Sequence, residues 1–533
     1  MKKVFALIVT LLIIISTIPV DLVYATYNMT YLYFGSSSTY LSYVNQTNNA
    51  LQTVSPNYID VNVNGQLVTK DIDEDFIKSI HDKGMTIVPF LSNHWNKTAG
   101  KKMLENRVAS ATQLANLVHA YNFDGIHIDI EGLNEESRDA FSDFVRLVRQ
   151  RVPAGKEVSV AVAANPYGSN KGWQGMYDYR ELAKYSDYLM IMAYDESWLG
   201  SKPGPVSSKN FMENAIKYPL GLGISPSKIV LGIPFYGRIW KVSNNWESMT
   251  SSIQGRGISL DNIGTLLDYY DADVTYDREK NSMRGRFCVS KTHKKLNLYS
   301  WGVPLEEGNY EIWFENDETI KERIKIANKY GLKGTGSWSL GQEDTTIWQN
   351  YDDWLKGHYF KDINGHWAEN DILHIYQKDW MLGINSTQFG PDVSLTRAEA
   401  AFSLVRALGL DMVNSSYFKD VSSNHWAKRA IETAYANGLI HGKGNYQYAP
   451  DEKITREQMS QLLYNYLKSQ FSQPTKVNGF CDMKQSDWAY TAVHTMNYHG
   501  ILKGFGDNTF RPRENITRGQ MASLFVRISS YIQ

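Results

Sequence analysis

Eight short apolar runs separated by helical patterns before residue 340, an acidic strand among them, and a repeat that fills the chain beyond Tyr359 predict the fold class. The chain is expected to be α/β: a (β/α)8 TIM barrel with a small α+β insertion before its last strand, then a C-terminal trio of helix-rich repeats. Its 533 residues exceed what one core supports, and about 100 to 250 residues per domain implies two to four units.

Lys2 and Lys3 precede an apolar run from Val4 to about Ile15, and the segment ends at Val23-Tyr24-Ala25. This order of charge, apolar run and cleavage-type end predicts a secretory leader over residues 1–25. A membrane anchor needs about 20 apolar residues, and Ser16, Thr17, Pro19 and Asp21 interrupt the run too early. The barrel domain is then expected over residues 26–355, with strands near 31–34, 58–63, 86–90, 125–131, 158–163, 188–194, 229–233 and 334–338. Phe141, Phe144, Val145, Val148 and Val152 recur at helical spacing behind the fourth strand, and Asp317-Glu318 opens another amphipathic helix. The stretch between Trp240 and Trp301 is too long for a simple crossover, so residues 241–301 are expected as the insertion.

Beyond Tyr359 three signatures recur in order: F-K-D-I-N-G-H-W with L-T-R-A-E, F-K-D-V-S-S-N-H-W with I-T-R-E-Q, and F-C-D-M-K-Q-S-D-W with I-T-R-G-Q. Trp367, Trp426 and Trp488 are 59 and 62 residues apart, as are the T-R pairs, so the units are placed at 359–415, 416–476 and 477–533. Each reads helix, loop, helix, with Thr396, Thr455 and Thr517 placed to cap the second helix.

Fifty-five basic residues against 56 acidic ones leave no strong field to attract nucleic acid or an anionic membrane. The high aromatic content, 34 Tyr and 14 Trp, suits stacking on sugars, although packing accounts for most of it. Cys288 and Cys481 fall in different expected domains, so no disulfide is expected. No cofactor and no metal are expected.

The most informative segment is D-G-I-H-I-D-I-E, residues 124–131. As a strand it sends Ile126, Ile128 and Ile130 to one face and His127, Asp129 and Glu131 to the other. Burying two carboxylates without a task costs several kcal/mol. At the C-terminal end of a barrel strand, Glu131 is placed where active sites lie, and burial beside Asp129 would keep it protonated as a general acid. A salt-bridged pair at the barrel rim is the alternative.

With this strand, M-A-Y-D (192–195), L-G-I-P-F-Y-G-R (231–238) and G-S-W-S-L-G (336–341), the chain resembles glycoside hydrolase family 18, the chitinase-like hydrolases, over nearly all of residues 26–355. The resemblance implies that Glu131 is the proton donor, that Asp129 orients and stabilises the substrate's 2-acetamido group, and that Tyr194 hydrogen-bonds it. It implies a nucleophile supplied by the substrate's own acetamido oxygen, so the sugar there must be N-acetylated. Asp195 would line the same subsite and Trp338 would form its floor. Met192, Tyr236 and Arg238 in the matching motifs, and Asn93 and Trp95 in V-P-F-L-S-N-H-W (88–95), become substrate-binding candidates. His127 stands where the family has its first inner Asp. It is expected to donate a hydrogen bond near Asp129 or, when protonated, to hold Asp129 ionised, giving turnover a His-like titration, or else to be a neutral spacer. Cell-wall and spore members resembled through that segment and A-A-N-P (163–166) also lack this Asp.

The repeats resemble S-layer homology (SLH) modules of Gram-positive cell surfaces, whose trios bind secondary wall polysaccharide. By resemblance Arg397, Arg456 and Arg518 would contact its anionic groups, with Trp367, Trp426 and Trp488 expected as packing residues. Together these resemblances imply a secreted glycosidase attached to the cell wall or S-layer. Its expected substrate is an N-acetylglucosamine-containing polysaccharide, peptidoglycan first and chitin or chito-oligosaccharides second. A non-catalytic glycan-binding barrel is the alternative of another class.

Overall fold

The computed structural model describes residues 24–248, 251, 253–293, 296, 304–472 and 479–532. The expected leader lies outside them up to position 23, as does Trp301. Eight parallel strands form the barrel: β1 (Tyr27–Leu32), β2 (Thr53–Pro56, resumed at Ile59–Val61), β3 (Thr86–Ile87, resumed at Phe90–Ser92), β4 (Gly125–Asp129), β5 (Glu157–Ala163), β6 (Tyr188–Met192), β7 (Ile229–Pro234) and β8 (Gly334–Trp338). The pairings close. Both halves of β2 pair with β3, through Thr53↔Thr86 and Ile59↔Leu91, and β8 returns to β1 from Tyr27↔Gly334 to Thr30↔Ser337. β2 and β3 break at Pro56 and Pro89, which have no N–H to give a ladder.

Inside the barrel, Met29, Tyr31, Phe90, Ala161, Tyr188, Met190, Met192 and Val230 form a packed plug. Outward-facing Ile126 and Ile128 of β4 join the larger core beneath the helices, including the expected one at Arg138–Arg151. Gly125 is required by close approach, because a Cβ there would lie 2.3 Å from the Glu157 carbonyl oxygen on β5. The insertion starts earlier and ends later than expected. β7 turns at once into an antiparallel five-stranded sheet that begins at Tyr236–Val242 and ends at Gly308–Phe314, with the helix Leu260–Tyr269 against it. Arg323 ties the insertion to the barrel, pairing with Glu315 at 3.0 Å where both side chains are fully buried and donating to the Ser207 and Asn281 carbonyls.

Each repeat contributes two helices, Glu369–Gln377 with Arg397–Ala407, Lys428–Ala436 with Arg456–Leu467, and Tyr490–Tyr498 with Arg518–Ile528. Thr396, Thr455 and Thr517 cap the second helices in reciprocal boxes with Glu399, Gln458 and Gln520. The second helix of each repeat packs on the first helix of the next, cyclically. At the centre the Leu395 N–H donates to Ile516, Ile516 to Ile454 and Ile454 to Leu395, closing a ring at 3.0 to 3.1 Å. Cys288 and Cys481 are free and exposed. Among the described residues no helix is long and apolar enough to cross a membrane.

The helix Asp317–Lys329 is buried from Thr319 to Asn328 between barrel and first repeat. Its polar face is charged, so the junction needs compensation rather than grease. Asp379 of the first repeat supplies it, lying 2.7 Å from Lys325, 2.6 Å from Lys209 and 3.6 Å from Lys329, with the Arg406 guanidinium at 3.9 Å. Although burial alone would raise it, these cations hold the Asp379 carboxyl well below the usual range. Tyr376 donates to Glu322, which also meets Lys325 at 2.5 Å. Removing this shared acid leaves Lys209 unmatched while Lys325 and Lys329 keep Glu322 and Glu213, so Asp379→Asn is expected to cost about 3 kcal/mol in denaturant unfolding. A pKa depressed on folding gives stability that is present above the unfolded-state value and lost as pH falls, so the difference between variant and wild type narrows on acidification. A variant as stable as wild type at pH 7 contradicts the assignment.

Candidate active site

β4 carries the site. Ser92 of β3 pairs with Asp129, and Ser159 of β5 with His127, so the polar face of β4 points into the barrel. His127 and Asp129 are buried there, and Glu131 stands two residues on, past the strand end at the mouth. Its main chain is held by Asn93, whose Oδ1 accepts from the Glu131 N–H at 2.8 Å and whose Nδ2 donates to the Glu131 carbonyl at 2.9 Å. Tyr177 donates to the Ile130 carbonyl at 3.0 Å. Gly132 has φ +76°, and a Cβ there would press on the Trp95 indole at 3.1 Å. Trp95 can therefore lie over the acid.

Burial first, then the charges of Asp129 and Asp195, push the Glu131 carboxyl well above its usual range, against a hydrogen bond from Trp95 that favours the ionised form. Burial raises Asp129 to about 7, opposed by His94. The two carboxyls thus hold a proton that exposed groups would have lost, and Asp129 Oδ1 is buried without a protein partner among the described residues. Such a pair offers one acid and one anion side by side.

The remaining predicted residues divide. Tyr194 packs edge-on to Tyr236, with ring centres 6.2 Å apart, and is raised well above its normal pKa chiefly by burial and then by Asp129 and Glu131. Asp195 accepts from Tyr236 at 2.6 Å and from Arg238 at 2.7 and 2.9 Å, forming a charged wall. Trp338 packs on Tyr31 and Tyr33 at 5.1 and 5.2 Å as a floor, and its peptide bond to Ser339 is cis. Trp95 is exposed and pairs with Trp173 at 5.2 Å. Two expectations change. Met192 belongs to the barrel plug, and the Asn93 amide is spent on the Glu131 backbone, so both act on the site from behind.

His127 also departs from one expectation. Full burial lowers it to about 3, so it is neutral at ordinary pH and cannot hold Asp129 ionised by charge. It is more than a spacer, since Tyr31 lies 2.6 Å from Nε2 and Ser159 2.8 Å from Nδ1. Tyr31, Ser159, Tyr177 and Trp173 were not singled out by sequence. Tyr31 sits in an expected strand, whereas nothing local marks Trp173.

The predicted wall-contact arginines have structural duties. Arg397 donates to the Tyr448 and His441 carbonyls of the second repeat, Arg456 to Phe510 and Lys503 of the third, and Arg518 to Phe389 and Leu382 of the first. They staple the ring. Arg518 is further neutralised by Glu399 at 3.2 Å, whereas Arg456 meets the neutral Gln520 at 3.1 Å. Contrary to the packing expectation, Trp367, Trp426 and Trp488 are 63%, 43% and 59% exposed.

The profile of glycosyl hydrolases family 18 matches residues 29–343, and that of the S-layer homology domain matches 359–401, 417–460 and 479–522. An uncharacterized glycosylase, YvbX, of Bacillus subtilis is 28% identical over 257 residues, 48% of this chain and 66% of its own length. The cortical fragment-lytic enzyme of the same species is 24% identical over 270 residues, 50% of this chain and 58% of its own. The chain thus spans less than two thirds of the length of these relatives. Among solved structures, the Bacillus cereus spore cortex-lytic enzyme SleL superposes with TM-score 0.53 at 19% identity, covering 62% of this chain and 74% of that one. The chitinase from Chromobacterium violaceum gives 0.53 at 23%, covering 62% and 99%. Both likenesses concern the fold.

Carboxyls whose pKa is raised on folding add stability that is whole below the unfolded-state value, near pH 4, and that is lost as pH rises through the folded-state value, for Asp129 about 7. Asp129→Asn is therefore expected to be more stable than wild type by about 1 to 3 kcal/mol at pH 8, with no gain near pH 4. Calorimetric scans across that range check it, and a pH-independent difference counts against the raised pKa.

Proposed function

The chain belongs to glycosyl hydrolases family 18 and carries three S-layer homology domains, and from that premise we propose that it is a wall-attached glycosidase. We infer that it cleaves β-1,4 bonds in N-acetylglucosamine-containing glycans with retention. The observation that carries this reading is Glu131 at the barrel mouth beside the buried Asp129, whose Oδ1 has no protein partner among the described residues, with burial and that neighbour holding the Glu131 carboxyl well above its usual pKa. Protonated Glu131 gives its hydrogen to the glycosidic oxygen. The acetamido oxygen of the sugar attacks the anomeric carbon, the leaving sugar departs, and Asp129 accepts the amide N–H and offsets the positive charge of the cyclic ion. Deprotonated Glu131 then takes a proton from the water that opens the ring. Tyr194 is near enough to both carboxyls to orient the acetamido group, and Trp338 supports the distorted ring.

Peptidoglycan is the proposed polymer. A relative named as a cortical fragment-lytic enzyme supports it, and attachment to the wall keeps that polymer at high local concentration. Chitin is the second reading. Glu131→Gln is expected to lose at least about a thousandfold in kcat on purified peptidoglycan, and de-N-acetylated glycan is expected to resist the wild-type enzyme. Mass spectrometry of the products reads both. Reducing-end N-acetylglucosamine from peptidoglycan supports the first polymer, and cleavage confined to chitin replaces it with the second.

Wall attachment is proposed to use the groove between the second and third repeats. There a cavity of about 280 Å³ gathers Arg456, Lys503 and Arg527 beside Trp367, a basic lining suited to an anionic saccharide. The Arg518 groove is already answered by Glu399. Lys503→Glu is expected to weaken binding to purified walls by about tenfold or more with unchanged melting, since the staple uses only the Lys503 carbonyl. Wild-type retention in a pelleting assay argues for another groove.

A further inference from the structure

A chain of side-chain hydrogen bonds runs down the barrel from the catalytic end. Tyr31 meets His127 Nε2 at 2.6 Å, His127 Nδ1 meets Ser159 at 2.8 Å, and Ser159 meets Glu157 Oε1 at 2.7 Å. Tyr31, His127 and Ser159 are buried. Glu157 begins β5 at the opposite end, where it lines a polar cavity of about 850 Å³ with Asp124, Asp187, Arg149, Lys156 and Lys333. Tyr31 at the upper end is close enough to Asp129 and Glu131 that their charges help raise its phenol well above its normal pKa, after burial.

Donor counting fixes the direction of this chain. An ionised Glu157 can only accept, so the Ser159 hydroxyl hydrogen is spent on it. Ser159 Oγ must then accept from His127 Nδ1–H, which leaves Nε2 bare to accept from Tyr31 O–H. When Glu157 takes up one proton on Oε1, every donor reverses. Glu157 O–H gives to Ser159, Ser159 O–H to Nδ1 and Nε2–H to the Tyr31 oxygen, and the count of hydrogens rises by the one on Glu157. The Tyr31 hydrogen then has to leave His127, and Asp129 Oδ1 is a buried acceptor without a protein partner among the described residues. A hydrogen bond to Asp129 from Tyr31 would compete with the amide N–H of the substrate.

We propose that Glu157 and Ser159 are positioning residues which, through a neutral His127 of fixed tautomer, set the direction in which Tyr31 donates and so keep Asp129 free for the acetamido group. This rests on the glycosidase reading. Several groups bear on Glu157 from the elements around it. Burial raises its pKa and Asp187 before β6 adds to that, whereas Ser159, Tyr188 of β6 and Lys333 before β8 oppose it, and Tyr27 of β1 faces it. Glu157 is thus a second carboxyl whose pKa is raised, at the other end of the barrel from Asp129.

The test uses the full chain with ¹⁵N-labelled imidazoles, the His127 signals being identified by their loss in His127→Asn. In wild type His127 is expected as the Nδ1–H tautomer, without a charge above about pH 4. In Ser159→Ala the tautomer is expected to shift toward Nε2–H, and Ser159→Thr to restore it. On a soluble N-acetylglucosamine oligosaccharide, Ser159→Ala is expected to lower kcat about tenfold with KM within about twofold. The acidic limb of log kcat/KM is expected to steepen toward a slope of about two in wild type and to stay near one in Glu157→Gln, whose amide does not titrate. A wild-type tautomer in Ser159→Ala, or a wild-type pH profile in Glu157→Gln, overturns the proposal. If the wild-type enzyme leaves both such glycans and purified peptidoglycan intact, the glycosidase reading fails, while the imidazole spectra still decide whether the chain has this direction.

Discussion

Withdrawing Asp129 and Glu131 from water is the constraint around which the upper half of the barrel is arranged. Two neighbouring carboxyls withdrawn from water cannot both be charged cheaply, so the site keeps a proton and both pKa values rise. Everything nearby is compatible with that condition. Asn93 holds the acid by its backbone and leaves its carboxyl undischarged, and His127 is so deeply buried that it stays neutral. Arg238 is neutralised by Asp195 on the adjacent wall rather than by the pair. A cation placed against Glu131 would have lowered its pKa and removed the acid.

The same electrostatic logic, with the sign of the result reversed, builds the junction with the repeats. There Asp379 faces Lys209, Lys325, Lys329 and Arg406, and its pKa falls. Burial raises the carboxyl at both places, so the neighbours decide. Because the helix Asp317–Lys329 belongs to the barrel on one face and to the first repeat on the other, the charges fix how the two bodies meet. The Arg278 guanidinium, 5.0 Å above the Trp426 ring, and Arg429 at 3.3 Å from Glu279 add contacts between insertion and second repeat.

Much of this was legible in the chain because it depends on local period. The alternation in residues 124–131 places the acidic face inward whatever the neighbouring strands are, and β8 falls at residues 334–338 as its pattern implies. The Thr caps were readable for the same reason. The insertion boundary was not, because Tyr236-Gly237-Arg238 continues an apolar strand while changing sheets, and sequence carries no mark of which sheet a strand joins. Asn93 and Met192 sit inside motifs that border the cleft, and only three-dimensional packing reveals that one faces a backbone and the other the barrel plug. The state of His127 depends on desolvation, which no pattern in β4 reports.

The repeat arginines show why a shared motif does not imply a shared ligand duty. Arg397, Arg456 and Arg518 occupy one position in three copies, and all three close the ring by donating to carbonyls of the neighbouring repeat. That duty is symmetric, so it explains the repetition by itself and leaves binding to whatever breaks the symmetry. The break comes three residues into each capped helix: Glu399 meets Arg518, whereas the matching residue beside Arg456 is Gln520. A carboxylate placed on a guanidinium offsets the charge that an anionic saccharide would need, and an amide does not. The cap that starts a helix therefore also sets the charge of the groove behind it. A trio with near-perfect structural symmetry can in this way carry unequal grooves without altering its fold.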